Sequence, residues 1–244
     1  MKDSSTNFDR VLLGALAFFC LFASACSTTI RRRADFLERR SSLKKVAIVP
    51  PVVSAVLIKG KDDYEPQPEV ESELSSKFPG VYRMVLPEYG LGIAAGPEAL
   101  AQADAEGLDA ATIRFLYAVK TLYKRSSMSE KKALKYDFAL GTDVRPLLEK
   151  TQSDVLLFTL LSSYEKSGKE IAKDWGFAFL LTAITLGHLV FIPAESDGSY
   201  LTIALAADSH GEILWSNRIE NSKSGKAIKL EKLVREALEE FPEY

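Results

Sequence analysis

An α/β fold on a mixed sheet of about five strands flanked by helices is predicted by three features. Residues 154–164 (DVLLFTLLSSY) form a continuous apolar run directly after a helical stretch, as a crossover into a buried strand requires. Residues 200–207 and 212–219 alternate around the turn Asp208-Ser209-His210-Gly211, which predicts an antiparallel hairpin. Between Pro97 and Gln152 the apolar residues recur at helical spacing, placing a four-helix stretch between strands.

Taken in order, Val46-Ala47-Ile48-Val49 before Pro50-Pro51 is the first strand, and 52–58 continues as an edge strand past the prolines. A helix starts at Pro68, with Val70, Leu74 and Phe78 on one face, and is expected to stop at Pro79-Gly80, with 81–86 as the next strand. Four helices follow, over 97–106 (ended by Gly107), 109–124 (capped by Asp109), 129–140 (ended by Gly141) and 143–151. The central strand and the hairpin come next. Ile228, Leu230, Leu233, Val234, Leu238 and Phe241 then stripe a terminal helix that Pro242 stops.

The chain has 244 residues, 47% hydrophobic, 26% charged and 10% aromatic, enough apolar side chain for a full core. This excludes disorder, collagen and a multi-span membrane protein. Its two cysteines, Cys20 and Cys26, lie at the extreme N-terminus, so the body can hold neither a disulfide framework nor a cysteine-ligated metal. Two histidines, His188 and His210, argue against a histidine-rich metal centre, and no cofactor is expected.

Lys2 and Arg10 flank a polar leader, and 11–25 (VLLGALAFFCLFASA) carries no charge, as in an export signal. Fifteen residues make a helix of ~23 Å, short of a ~30 Å hydrocarbon core. The run ends in Ala23-Ser24-Ala25-Cys26, which resembles the lipobox of bacterial lipoproteins; that resemblance implies a diacylglycerol on Cys26, cleavage before it, and, with Ser27 next, outer-membrane delivery facing the periplasm. An ordinary secretory signal with an incidental cysteine is the alternative. The division is therefore a signal peptide at 1–25, a basic tether at 26–43 and one α/β periplasmic domain at 44–244. From 27 to 45 there are seven basic residues, among them Arg31, Arg32, Arg33, Arg39 and Arg40, against two acidic ones, so the tether suits an anionic membrane surface. Ile30, Ala34 and Leu37 allow an amphipathic turn there, with a solvated tether as the other reading. From 46 onward, 22 basic residues face 29 acidic ones, which disfavours nucleic acid.

The lysine-preceded strand ending in Pro50-Pro51, the lead Ser153-Asp154-Val155-Leu156-Leu157-Phe158, the DSHGEILW hairpin and the closing helix resemble the CsgG/LpoB/TolB N-terminal-like α/β lipoproteins over 44–244. That resemblance implies envelope assembly rather than a reaction.

Chemical motifs are sparse. Gly90, Gly92 and Gly96 are spaced GxGxxxG and separated from the preceding strand, which reads as a flexible connection rather than a dinucleotide loop. His210 reads as an exposed turn residue and His188 as a core histidine. Carboxylate pairs such as Asp62/Asp63 and Glu239/Glu240 read as solvated surface. Residues 176–192 (GFAFLLTAITLGHLVFI) carry no formal charge and read as a helix buried against the sheet or in an oligomer interface, with lipid contact as the alternative. The expectation is a non-enzymatic, membrane-anchored binding or assembly module with an envelope partner or its own copies. The alternative is a subunit of a membrane-inserted secretion complex using 176–192.

Overall fold

The computed structural model describes residues 29–60, 63–123, 138–166, 179–183, 188–192, 197–207 and 210–242. Its ten strands are β1 (Thr29–Arg32), β2 (Lys45–Ile48), β3 (Val52–Gly60), β4 (Asp63–Pro66), β5 (Gly92–Ala95), β6 (Val155–Lys166), β7 (Phe179–Ala183), β8 (His188–Ile192), β9 (Gly198–Ala207) and β10 (Glu212–Asn221). Six α-helices accompany them: α1 (Phe36–Arg40), α2 (Pro68–Val85), α3 (Pro97–Ala103), α4 (Ala105–Leu122), α5 (Val144–Thr151) and α6 (Leu230–Leu238). Eight strands make one mixed sheet, running β5-β2-β6-β9-β10-β1, with β3 beside β6 and β4 outside β3. The class is the expected one, with more strands than the five expected.

β6 is central because it is apolar on both faces and buried from Val155 to Tyr164. β2 and then β3 run parallel to one side of it, and β9 runs antiparallel to the other. Ile48 faces Leu157 and Val52 faces Leu160, so four steps oppose three and Pro50-Pro51 bulges out of the ladder. β3, expected at an edge, is instead flanked by β6 and β4. The Asp154 carboxylate accepts the backbone N–H groups of Lys44 and Lys45 at 2.9 and 2.7 Å, which pins the start of β2 beside β6.

Helices cover both faces. On the first, Val46, Ile48, Leu157, Leu161, Ile203 and Trp215 pack with α1, α2 and α6; on the second, Ala47, Leu156, Phe158, Ala204 and Ile213 pack with α3, α4 and α5. α2 does not stop at Pro79-Gly80, and the strand expected over 81–86 is instead its last turn, to Val85, and the first residue of the 3-10 turn Leu86–Tyr89. An internal proline costs ~3 kcal/mol and a glycine ~1. Val81, Tyr82 and Val85 continue the buried stripe of Leu74 and Phe78, and each such side chain contributes ~1.5–3 kcal/mol when buried, so packing outweighs propensity.

Two helix boundaries also move. Asp104 caps α4 by accepting the Gly107 N–H at 3.0 Å, so the helix starts earlier than expected and runs through Gly107. A Cβ at Gly107 would lie 2.8 Å from the Asp104 carboxylate, so that approach needs glycine. The helix expected over 129–140 lies mostly outside the described residues, and Ala139, at its end, forms a β-bridge with Glu212. The supposed flexible connection at Gly92 is strand β5, parallel to β2.

The run 176–192 is described in two pieces, β7 and β8, which pair antiparallel with Leu181 opposite Val190. The helix expected there is overturned. Phenylalanine, isoleucine, valine and threonine favour extended backbone, and apolar runs of this length carry no periodicity that separates strand from helix.

Candidate functional site

The segment expected to be a basic tether is folded from Thr29 onward. β1 adds to the sheet edge antiparallel to β10, with Arg31 opposite Ser216 and Arg32 opposite Trp215. Cys26 lies outside the described residues, three positions before Thr29. The five arginines singled out in the sequence do different work. Arg33 and Arg39 both reach Glu212, at 2.9 and 3.1 Å, and both pair with Asp35. Slight burial raises the Asp35 carboxyl, but the Arg33 hydrogen bond and the charges of Arg33 and Arg39 outweigh it and hold the group below its usual value. Arg40 is buried and donates to the carbonyls of Leu43, Pro242 and Tyr89, with the Phe241 ring 4.4 Å away. Arg32 is half-buried.

Arg31 belongs to something else. Strand alternation turns it to the second face, beyond the C-terminal end of α4, where the apolar packing gives way to polar side chains. There Tyr123 shares a 2.7 Å hydrogen bond with Ser216, and its ring centroid lies 5.8 Å from the Arg31 guanidinium and 5.5 Å from that of Arg218. Arg218 also lies 4.5 Å from the Tyr200 ring, and Tyr200 stacks on Tyr164 with centroids 6.5 Å apart. The result is a row of alternating cations and rings crossing β1, β10, β9 and β6. Buried Ser162 and Thr202 lie in register between these positions, and the Tyr200 hydroxyl donates to exposed Glu220 at 3.0 Å. Gly198 faces Tyr164, and a Cβ there would lie 2.9 Å from the tyrosine hydroxyl, so glycine lets that ring lie across the strand.

The electrostatics of the row are those of desolvated groups. Desolvation pushes the Tyr123 hydroxyl up to about 12, against smaller opposing effects of Ser216 and the two arginines. Desolvation and the Glu220 charge push Tyr164 up to about 12 and Tyr200 higher still. Desolvation pulls the Arg218 guanidinium below its usual value. All three tyrosine hydroxyls are thus held above their ordinary value.

Sequence reading finds one member, Arg31, and misses Tyr123, Tyr164, Tyr200 and Arg218. The available signal is Arg218, a charge inside an otherwise buried strand. Of the other residues considered, His210 is exposed at the turn before β10, the glycines at 90, 92 and 96 surround an edge strand, and the side chains of His188, Asp62 and Asp63 lie outside the described residues. Among the described residues no group of three or more His, Cys, Asp or Glu could hold a metal ion, and no helix is long and apolar enough to cross a membrane.

No family model matches the chain, and no curated protein matches it. Among solved structures the chain is similar to the PelC dodecamer from Paraburkholderia phytofirmans, with 11% identity and a TM-score of 0.32, and to a form of the same dodecamer carrying a single leucine-to-methionine substitution, with 9% and 0.33. Each comparison covers 87% of this chain and 92% of the other.

Proposed function

We propose that the protein is a non-enzymatic binding or assembly module of the bacterial cell envelope, anchored by lipid on Cys26 in the outer membrane and facing the periplasm. The observation that carries this reading is the distance from the lipobox-like cysteine to the fold: Ser27 and Thr28 alone separate Cys26 from β1. Three Cα steps span at most about 10 Å. An acyl chain on Cys26 would hold the β1 edge of the sheet close to the bilayer, with no long tether between.

The alternative, a pore subunit inserting 176–192, draws less support. A membrane-spanning hairpin alternates polar and apolar residues, whereas 176–192 is apolar on both parities. The test is Cys26→Ala in cells fed a labelled fatty acid. The expected result is loss of label and of lipoprotein-type processing; normal processing and labelling of the variant would overturn the anchoring.

A further inference from the structure

Arg31 and Arg218 both lie against the Tyr123 ring, and each keeps guanidinium donors without an acceptor among the described residues. Arg31 is 9% exposed; among the described residues its Nη1 donates to the neighbouring Ile30 carbonyl and its buried Nε finds no hydrogen-bond partner. Arg218 makes no hydrogen bond or ion pair among the described residues and is held by the Tyr123 and Tyr200 rings. Aromatic faces attract the charge of a guanidinium but do not replace oxygen acceptors for its N–H groups. Among the described residues Glu220 is the carboxylate whose charge bears on Arg218; it is exposed and already accepts the hydrogen bond of the Tyr200 hydroxyl, while Asp197 bears on Tyr164 at the far end of the row. Since arginine stays charged at neutral pH, the pair leaves a local surplus of positive charge with donors to spare.

We propose that this end of the second face, centred on Arg218 and Arg31, is a binding site for a phosphate-type oxyanion. The two guanidiniums rise from different strands, Arg31 from β1 and Arg218 two positions beyond its partner Ser216 on β10. A tetrahedral anion offers acceptors in more than one plane, whereas a planar carboxylate satisfies one fork at a time. Half-buried Arg218 and Tyr200 and exposed Glu220 give access from solvent, with Arg31 behind them. The phosphate is either free or carried by a lipid headgroup. The second source rests on the anchoring reading, because Arg31 follows Cys26 by five residues.

The experiment uses the full chain in an uncharged detergent, titrated with inorganic phosphate at constant ionic strength and read by calorimetry. Saturable binding is expected, weakened about tenfold or more in Arg218→Gln and partly restored in Arg218→Lys, with sulfate competing and acetate not. Absence of saturable binding to the folded wild-type protein overturns the proposal whatever the variants do, and equal competition by acetate overturns the phosphate class. A second arm mixes the Cys26→Ala full chain with phosphatidylcholine vesicles with or without phosphatidic acid. Binding that needs phosphatidic acid and Arg218 assigns the phosphate to a lipid; phosphate binding without vesicle binding assigns it to a free ligand. Phosphate binding in a protein that is never acylated leaves this site standing and removes the anchor alone.

Discussion

Two places in this molecule bury arginine, and they differ in what the guanidinium touches. Arg40, 3% exposed, donates to three carbonyls drawn from α1's own exit, the turn before β5 and the C-terminal segment, and lies over Phe241. Its donors are filled by backbone, so burial turns the charge into a rivet between distant parts of the chain. Arg31, 9% exposed, donates to one carbonyl, that of its neighbour Ile30, and otherwise it and Arg218 meet rings rather than acceptors among the described residues. The same side chain is structural where oxygen surrounds it and poised for a ligand where only aromatic faces do.

The largest effect expected from breaking this contrast is at Phe241, whose ring touches Trp215 at 5.1 Å and Phe36 at 5.8 Å and supports Arg40. Phe241→Ala should cost ~3–5 kcal/mol in denaturant unfolding, because the cavity opens in a packed core. Arg40→Met should follow at ~3 kcal/mol, since three carbonyls lose a charged donor. Tyr82→Phe sharpens the scale: it leaves Thr159 without its 2.6 Å partner inside the first face and should cost ~1–2 kcal/mol. By contrast Arg218→Gln should change stability by less than ~1 kcal/mol in phosphate-free buffer, because lost cation–π attraction is offset by relief of desolvated charge. The smallest effect concerns Asp35. Its folded carboxyl titrates below the unfolded value near 3.8, so its contribution is full above that value and is lost as pH falls through the lower folded one. Acid titration of Asp35→Asn should lack that component of the stability loss.

The sheet's centre is readable from sequence because 154–164 and the hairpin strands are each long, apolar and bounded by turn residues. The tether is not, because arginine looks like surface in a linear sequence. Its partners Glu212, Pro242 and Tyr89 are distant in the chain, and only the fold supplies them. α2 reads as too short because Pro79-Gly80 is a strong local signal that the buried face of Val81, Tyr82 and Val85 overrides. The cation–ring row is illegible for the same reason as the tether: residues 31, 123, 164, 200 and 218 are unremarkable singly and meet only across four strands and a helix end.

The contrast between the two kinds of buried arginine is tested most directly by thermal unfolding of the full chain at fixed ionic strength, with and without phosphate, in wild type, Arg40→Met and Arg218→Gln. A ligand that binds only the folded state raises the melting temperature in proportion to the logarithm of its concentration above Kd. The account predicts that phosphate raises the melting temperature of wild type and of Arg40→Met, although Arg40→Met starts lower, and that Arg218→Gln needs about tenfold more phosphate or more for the same rise. A wild-type melting temperature indifferent to phosphate, or an Arg218→Gln loss as large as that of Arg40→Met in phosphate-free buffer, would contradict it.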